Sequence, residues 1–249
     1  MKIITWNVNG IRARHEQLQA LITEEAPDVV CLQEIKADPG KVPDLLVTNS
    51  DHYSYWHGAG GYSGVALIIR HSFVTERPTF HHPSFDMENR IVVAELGNTL
   101  FASVYVPNGG KDYDAKIRFL TSLAEWARET IATGRDVVIS GDLNVAREER
   151  DVHPKERKPN QIGTRPEERA LLTRLFDAGL SDIGRSLDPD NNELFTFWAP
   201  WRNLRQRNIG WRIDYVLATR NVAARARTSA SRREFGTSDH GPVVVQFES

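Results

Sequence analysis

Short runs rich in β-branched and aromatic residues recur along the whole chain, and this recurrence limits the possible folds more than any other feature. Nine such runs lie at 3–6, 29–32, 53–57, 65–69, 90–96, 100–106, 136–140, 212–218 and 243–247. Gly, Pro, Asn or Asp residues flank them, as is typical of the ends of β-strands. The sequence therefore predicts a fold dominated by strands.

Only three segments show the apolar spacing of three and four residues that is typical of a helix face. They lie at 18–22, 117–131 and 171–176, and the third has Pro166 near its start and Gly179 near its end. A doubly wound sheet would need a helix after nearly every strand. Many strands with few helices instead predict two packed sheets with helices outside, which is an α/β fold.

The composition narrows the class of protein further. The chain has 249 residues, no fixed-period repeat and no linker-like segment, which favours a single domain over 1–249. Its one cysteine, Cys31, cannot form an intramolecular disulfide, and its longest unbroken apolar run, at 65–69, is far too short to span a membrane. The chain opens on a strand-like run rather than a signal-peptide pattern. We therefore expect a reduced, cytoplasmic protein that acts as a monomer away from membranes.

Polar residues with catalytic potential follow many of the predicted strands. These residues are Asn7, Asn9, Glu34, Tyr105, Asp142, Asn144, Asp214, Asp239 and His240. Each residue taken alone could have a purely structural role. Asn9-Gly10 is a common turn, Glu34 could be a solvated strand end, and His240 could be a turn residue. Asp214 is harder to dismiss, since a carboxylate within an apolar strand needs a partner. As a set they indicate a site, because rigid scaffolds present catalytic groups at strand ends.

The residue types suit the hydrolysis of a phosphodiester. Carboxylates such as Glu34 and Asp239 are hard oxygen ligands that suit Mg²⁺. Asn7, Asn144, Tyr105 and His240 can donate hydrogen bonds to phosphate oxygens. Asp214 could hold His240 in one tautomer, and Asp142 is available to activate a water molecule.

The order of these motifs resembles the exonuclease III family of abasic-site endonucleases, within the endonuclease/exonuclease/phosphatase superfamily. The matching segments are WNVNGIR at 6–12, LQEIK at 32–36, YVPN at 105–108, GDLNVA at 141–146, NIGWRIDY at 208–215 and SDH at 238–240. They span nearly the whole chain. The resemblance implies a four-layer α/β/β/α sandwich of the DNase I-like type. It also implies cleavage of duplex DNA on the 5′ side of abasic sites, with activity at 3′ ends, and Mg²⁺ as cofactor with Mn²⁺ as a substitute.

The resemblance also implies roles for the site residues. Glu34 would be the main metal ligand, with Asn9 and Asp239 close by. The scissile phosphate would contact Asn7, Tyr105, Asn144 and His240, while Asp142 would position or deprotonate the attacking water and Asp214 would pair with His240. Asn9 stands where some relatives have Asp, which would weaken the affinity for metal.

An aromatic cluster bears on which substrate is chosen. By resemblance, Phe197, Trp211 and Ile213 would line a pocket for a flipped-out abasic sugar, although aromatic residues in such a segment also commonly form core. A small apolar pocket would exclude a normal nucleotide by its size. Lys111 and Trp201 match positions that enter the DNA in some relatives, and Asn108 belongs to the same DNA-contacting set.

The formal net charge of −2 conceals an uneven distribution. From residue 202 to residue 233 there are nine arginines and one acidic residue, Asp214. This segment predicts one basic side for a polyanionic partner, or alternatively a solvated arginine-rich surface. Two other functions stay open at this point: another superfamily phosphoesterase, such as a nonspecific DNase or an inositol-phosphate phosphatase, and a catalytically inactive DNA-binding module.

Overall fold

Two six-stranded β-sheets form the centre of the protein. The computed structural model describes residues 1–48 and 51–248. Within these ranges the strands are β1 (Lys2–Asn7), β2 (Val29–Gln33), β3 (His52–Ala59), β4 (Tyr62–Arg70), β5 (Thr79–His81), β6 (Ile91–Leu96), β7 (Thr99–Tyr105), β8 (Asp136–Asp142), β9 (Leu180–Asp182), β10 (Asp214–Thr219), β11 (Ala226–Ser231) and β12 (Val243–Phe247). The first sheet has the order β11-β12-β1-β2-β4-β3 and the second β5-β6-β7-β8-β10-β9.

Helices cover the outer faces of both sheets. The described helices are α1 (Ile11–Glu25), α2 (Asp44–Val47), α3 (Tyr113–Ala132), α4 (Pro166–Asp177), α5 (Ile183–Leu187) and α6 (Arg220–Ala223). The three longest contain the three segments that the apolar spacing predicts. Helix α3 begins after Asp112, whose side chain accepts a hydrogen bond from the main-chain N–H of Ala115. No helix in the described ranges combines the length and apolarity needed to cross a membrane.

Side chains of successive strand residues point to opposite faces, and this alternation builds the layers. In β1, Ile3 packs in the core between the sheets, while Ile4 packs in the core under α1. A third core lies between the second sheet and helices α3 and α4, where Leu120 meets Leu172. The prediction of an α/β/β/α sandwich is confirmed.

All nine predicted runs contain strands, but the boundaries and the number of strands differ from the prediction. Strands β5, β9 and β11 were not predicted, because the first two have three residues each and the third is largely polar. The run at 212–218 starts two residues too early, since β10 begins at Asp214. Arg212 instead leaves the sheet, and its main-chain N–H donates to the carbonyl of Asp151.

The strand registers bring the ends of several strands to one end of the sandwich. Strands β1 and β2 run parallel, as do β7 and β8. In the second sheet, Tyr105, Asp142 and Asp214 lie in one row, because Asp142 pairs with Tyr105 on one side and with Asp214 on the other. In the first sheet, Asn7 pairs with Gln33, the residue before Glu34. Both rows lie at the same end of the molecule and form the candidate site.

Candidate active site

The side chain of Asn7 bridges carboxylates from the two sheets. Its amide nitrogen donates to Glu34 Oε1 and to Asp142 Oδ2, both at 3.0 Å. Tyr105 Oη donates to the same Glu34 oxygen at 2.8 Å. The structure therefore brings together four of the predicted site residues, although Asn7 and Asp142 are 135 positions apart in the chain.

Contacts through Lys36 connect Glu34 to Asn9 and Asp239. Lys36 Nζ lies 2.8 Å from Glu34 Oε2 and donates to Asn9 Oδ1 at 2.7 Å. The amide of Asn9 in turn donates to Asp239 Oδ1 at 3.0 Å. Although burial by itself raises the pKa of Glu34, the hydrogen bonds from Asn7 and Lys36 and the Lys36 charge bring that pKa below its ordinary value.

These donors fit a hard divalent cation. Two carboxylates and one amide oxygen lie on one patch, Glu34 is held ionised, and a positively charged Lys36 already lies against two of the three groups. Mg²⁺ and ions like it take mainly carboxylate, amide and water oxygens. Glu34, Asp239 and Asn9 therefore offer oxygen ligands for a metal ion.

A buried carboxylate, histidine and second carboxylate lie beside this patch. His240 Nδ1 lies 2.9 Å from Asp214 Oδ2, and His240 Nε2 lies 3.8 Å from Asp142 Oδ2. Thr196 Oγ1 donates to Asp214 Oδ2 at 2.6 Å. Ligand atoms of Asp142, Asp214 and His240 all lie within 4.8 Å of one another. His240 is thus oriented by Asp214, as the sequence pattern suggests, and its other ring nitrogen is directed at Asp142.

Burial and neighbouring charges shift the pKa values of Asp142 and His240. Burial raises the pKa of Asp142 to about 7; the charge of His240 opposes this rise, while Asp214 and Glu34 reinforce it. Burial alone would lower the pKa of His240, but the charges of Asp214 and Asp142 raise it to about 10. The raised pKa keeps His240 cationic at neutral pH, and the raised pKa of Asp142 makes it a stronger proton acceptor than an ordinary carboxylate, as suits a general base.

Tyr105 stays protonated in this environment. Burial, followed by the negative charges of Glu34 and Asp142, raises its pKa well above the ordinary value. The guanidinium of Arg90 lies 4.7 Å from the centre of the Tyr105 ring. The tyrosine is consequently a fixed hydrogen-bond donor and not a source of phenolate.

Tight backbone turns place the site residues at the strand ends. Asn9, Glu34 and Asn144 have φ angles of 44°, 51° and 50°, in the left-handed region that non-glycine residues adopt less often. Asn144 is held there by its own main-chain N–H, which donates to Asp142 Oδ1 at 2.9 Å. A Cβ atom on Gly141 would lie 1.9 Å from the Val104 carbonyl oxygen, so only glycine fits before Asp142.

The predicted aromatic residues gather next to His240. Phe197 and Trp211 form an antiparallel bridge, and the Phe197 ring lies 4.9 Å from the His240 ring. Both aromatic side chains are partly exposed and pack on a small buried cluster that contains Ile213. Phe197, Trp211 and Ile213 therefore form an apolar wall beside the polar centre.

The remaining predicted DNA contacts lie outside this wall. Trp201 is 59% exposed. Lys111 is exposed, and its ammonium lies 5.9 Å from the Tyr62 ring centre. Asn108 is also exposed and donates to Asn144 Oδ1 at 3.3 Å. Asn108 therefore contacts a residue of the site directly, while Trp201 and Lys111 present exposed side chains.

Sequence reasoning missed several residues that support the site. Lys36, Thr196 and Arg90 contact site residues directly, as described above. Lys116 lies fully buried and donates to the main-chain carbonyl of Asn144 at 2.7 Å. A lysine within an otherwise apolar helix face was the one available signal for Lys116, because a buried charge needs a partner.

The prediction that the nine arginines of 202–233 form one basic side holds only in part. Arg212 is buried and binds Asp151 and Asp182, while Arg205 donates to three main-chain carbonyls. Three more pair with acidic residues: Arg227 with Glu248, Arg232 with Glu24 and Glu25, and Arg233 with Glu234. The arginine count therefore overstates the free positive charge of the segment.

Comparisons with known proteins agree with this geometry. The Endonuclease/Exonuclease/phosphatase family matches residues 4–240. The exodeoxyribonuclease of Bacillus subtilis (strain 168) is 32% identical over 252 residues, which cover 98% of each chain. The solved structure of the 3′ phosphatase NExo from Neisseria bound to product DNA hairpin is 29% identical, with a TM-score of 0.90. The structure of an AP endonuclease from Archaeoglobus fulgidus is 27% identical, also with a TM-score of 0.90. Both alignments cover 100% of this chain and 100% of the other. Because the family match spans nearly the whole chain and the relatives align along their full length, this chain belongs to the endonuclease/exonuclease/phosphatase family.

Proposed function

We propose that this protein is a metal-dependent DNA-repair nuclease that hydrolyses the phosphodiester on the 5′ side of abasic sites in duplex DNA. Activity on 3′ ends, as a 3′-to-5′ exonuclease and in removing 3′ blocking groups, belongs to the same proposal. The observation that carries it is the contact between the polar centre and the apolar wall: the Phe197 ring lies 4.9 Å from His240, which itself faces Asp142. The names of the full-length relatives support this assignment.

The charges of the site assign roles in hydrolysis. Asp142, with its pKa raised to about 7 by burial, accepts the proton of the attacking water. Cationic His240 donates to a non-bridging phosphoryl oxygen, and Asp214 holds it in place. Asn7, Tyr105 and Asn144 are positioned to bind the scissile phosphate. Donors fixed before the reaction stabilise developing negative charge without reorganisation.

Glu34, Asp239 and Asn9 would hold the metal, which we propose to be Mg²⁺ with Mn²⁺ as a substitute. A bound divalent ion supplies Lewis-acid stabilisation of the phosphoryl oxygen. Lys36 pairs with the charge of Glu34 and donates a hydrogen bond to the amide oxygen of Asn9. Because an amide oxygen replaces a carboxylate at Asn9, we expect the site to bind the metal more weakly than one with a carboxylate at this position.

The apolar wall gives the proposed selectivity. A deoxyribose without a base can rest against Phe197, Trp211 and Ile213, whereas a normal nucleotide also brings a base that needs further space. This wall distinguishes the proposal from the superfamily alternatives, a nonspecific DNase or an inositol-phosphate phosphatase. An apolar wall offers no favourable contact to the charged phosphate groups and polar ring of an inositol phosphate. Asn108, Lys111 and Trp201 are proposed as surrounding contacts to the DNA backbone and the opposite strand.

One set of cleavage assays tests the proposal. Purified protein is incubated with Mg²⁺ or EDTA on duplexes that carry an abasic analogue, a 3′-recessed end, a 3′-phosphate or a uracil. We expect Mg²⁺-dependent incision at the abasic analogue and a loss of about 10²–10⁴-fold in Asp142→Asn and His240→Asn. If no duplex is cut in the presence of Mg²⁺, or if Asp142→Asn retains full activity, the proposal is wrong.

A further inference from the structure

Two histidines and an aspartate meet at the edge of the sandwich, at the end of β3 and in the loop between β5 and β6. His57 Nε2 lies 2.6 Å from Asp86 Oδ2. The His57 and His82 rings stack with centroids 4.4 Å apart and planes within 9°. One ligand atom from each of the three residues lies within 4.8 Å of the other two. None of them belongs to the proposed catalytic site.

Two main-chain hydrogen bonds hold the carboxylate of the aspartate in this cluster in place. Asp86 Oδ1 accepts hydrogen bonds from the main-chain N–H groups of Arg90 and Ile91, at 2.8 and 3.1 Å. Oδ2 therefore remains for His57, whose side chain is 14% exposed and whose backbone is held in β3. Carboxylate ligands of metal ions commonly have such supporting hydrogen bonds. His82, by contrast, is exposed, so its ring can turn and an ion can enter past it.

The donor atoms of His57, His82 and Asp86 are close enough together to bind one metal ion after a small movement. Bonds of about 2.0–2.2 Å to imidazole and carboxylate at tetrahedral or octahedral angles place the donor atoms about 2.8–3.6 Å apart. His57 and Asp86 must separate slightly from 2.6 Å. Because the three donor atoms lie within 4.8 Å of one another, the donor atom of His82 needs to move by at most about 2.0 Å. Rotation of one exposed imidazole provides this movement.

We propose that His57, His82 and Asp86 form a second metal site, which takes a Zn²⁺-class transition-metal ion. Two imidazoles and one carboxylate suit such an ion, whereas Mg²⁺ prefers the oxygen set around Glu34. The metal takes lone pairs from His57 Nε2 and Asp86 Oδ2 in place of the hydrogen bond between them. The ion ties β3 to the loop of Asp86, which continues to Arg90 beneath Tyr105.

Counting bound metal tests this site. Chelator-treated full-length protein in excess Mg²⁺ is titrated with Zn²⁺ by calorimetry and with Co²⁺ by visible absorption. The test variant is His82→Ala, and its matched control is the neighbouring His81→Ala, whose Nδ1 lies 3.4 Å from Glu95 and outside the cluster. Because His82 is exposed, its variant should fold, and a circular dichroism melt checks this.

We expect the wild type and His81→Ala to bind one more equivalent of Zn²⁺ than His82→Ala does, with the corresponding Co²⁺ band missing from His82→Ala. Equal stoichiometry in all three proteins overturns the site, as does a loss in His81→Ala equal to that in His82→Ala. The readout counts metal without measuring cleavage. Its outcome is therefore separate from that of the proposed nuclease function.

Discussion

The buried ion pair between Lys116 and Glu168 supports the loops that carry Asn108 and Asn144. Neither side chain is exposed, and Lys116 Nζ lies 2.5 Å from Glu168 Oε1. The same ammonium donates to the carbonyls of Asn144 at 2.7 Å and Asn108 at 3.2 Å. The Glu168 carboxylate also accepts the main-chain N–H of Gly163. The pair therefore joins helices α3 and α4 to two loops of the site.

Glu168→Gln keeps the shape of this pair and removes one charge. Breaking a buried ion pair in this way costs about 3–5 kcal/mol. An independent upper limit on this loss of stability comes from Lys116, because the lysine can lose its proton instead of remaining an unpaired cation. Neutralising a lysine at pH 7 costs about 4.6 kcal/mol, from an ordinary pKa of about 10.4 and 1.36 kcal/mol per unit. The two figures agree, and we expect a loss of about 3–5 kcal/mol at pH 7.

The pH dependence of this loss has a definite sign. Burial already lowers the pKa of Lys116 in the wild type, and the variant loses the Glu168 charge that opposes this. In the variant the folded chain then holds Lys116 neutral, while the unfolded chain binds a proton. Stability rises with pH wherever the unfolded state binds more protons. The deficit should therefore shrink by up to about 2.7 kcal/mol between pH 7 and pH 9.

Urea unfolding of the wild type and Glu168→Gln at pH 7, 8 and 9 measures both quantities. Glu129→Gln, which changes an exposed residue on α3, is the matched control and should unfold like the wild type. In Lys116→Met/Glu168→Gln the unpaired amine is gone, so part of the stability should return. A deficit below about 1 kcal/mol at pH 7, or one that does not change with pH, would refute the reasoning.

Three further predictions concern the site. Trp211→Ala should lower the ratio of abasic-site to undamaged-duplex cleavage at least tenfold and leave the Mg²⁺ dependence unchanged; an unaltered ratio would contradict the proposed pocket. Because the pKa of His240 is raised to about 10, its pairing with Asp214 stabilises the fold fully below about pH 6.5 and ceases to do so as the pH rises through 10. Asp214→Asn should therefore lower the melting temperature more at pH 6 than at pH 10, and equal deficits would show that the pair is not the cause. Duplex cleavage under subsaturating conditions should slow as KCl is raised from 50 to 200 mM, since phosphate contacts release counterions; a constant rate would mean that charge contributes little to DNA binding.

The sequence predicts the strands well where their side chains carry the information. Apolar runs such as 65–69 must be buried on both faces, and they form central strands. Strand β11 escapes prediction because its sequence, ARTSAS, is mostly polar and half exposed. Main-chain pairing with β12 forms this strand, and such pairing leaves little trace in the side chains.

The sequence predicts that the candidate residues gather at one end of the fold, but it predicts their individual interactions much less well. The polar residues at the strand ends do gather, because the parallel pairs bring those ends together. The bridge from Asn7 to Asp142 depends on how one sheet packs over the other, which local patterns do not specify. The same limit explains Arg212, which counts as surface charge in the sequence but binds Asp151 and Asp182, both distant along the chain.

The bridging amide of Asn7 makes the site dependent on the whole molecule. Glu34 directly follows a strand of one sheet and Asp142 ends a strand of the other, and a single side chain contacts both. Sheets that pack face to face are about 10 Å apart, so a small separation breaks these contacts. Neither sheet alone can assemble the site, and a loosened sandwich with intact strands would be inactive. Enzyme activity therefore reports on the cooperative folding of the entire chain, and heat should abolish activity no later than it melts the core.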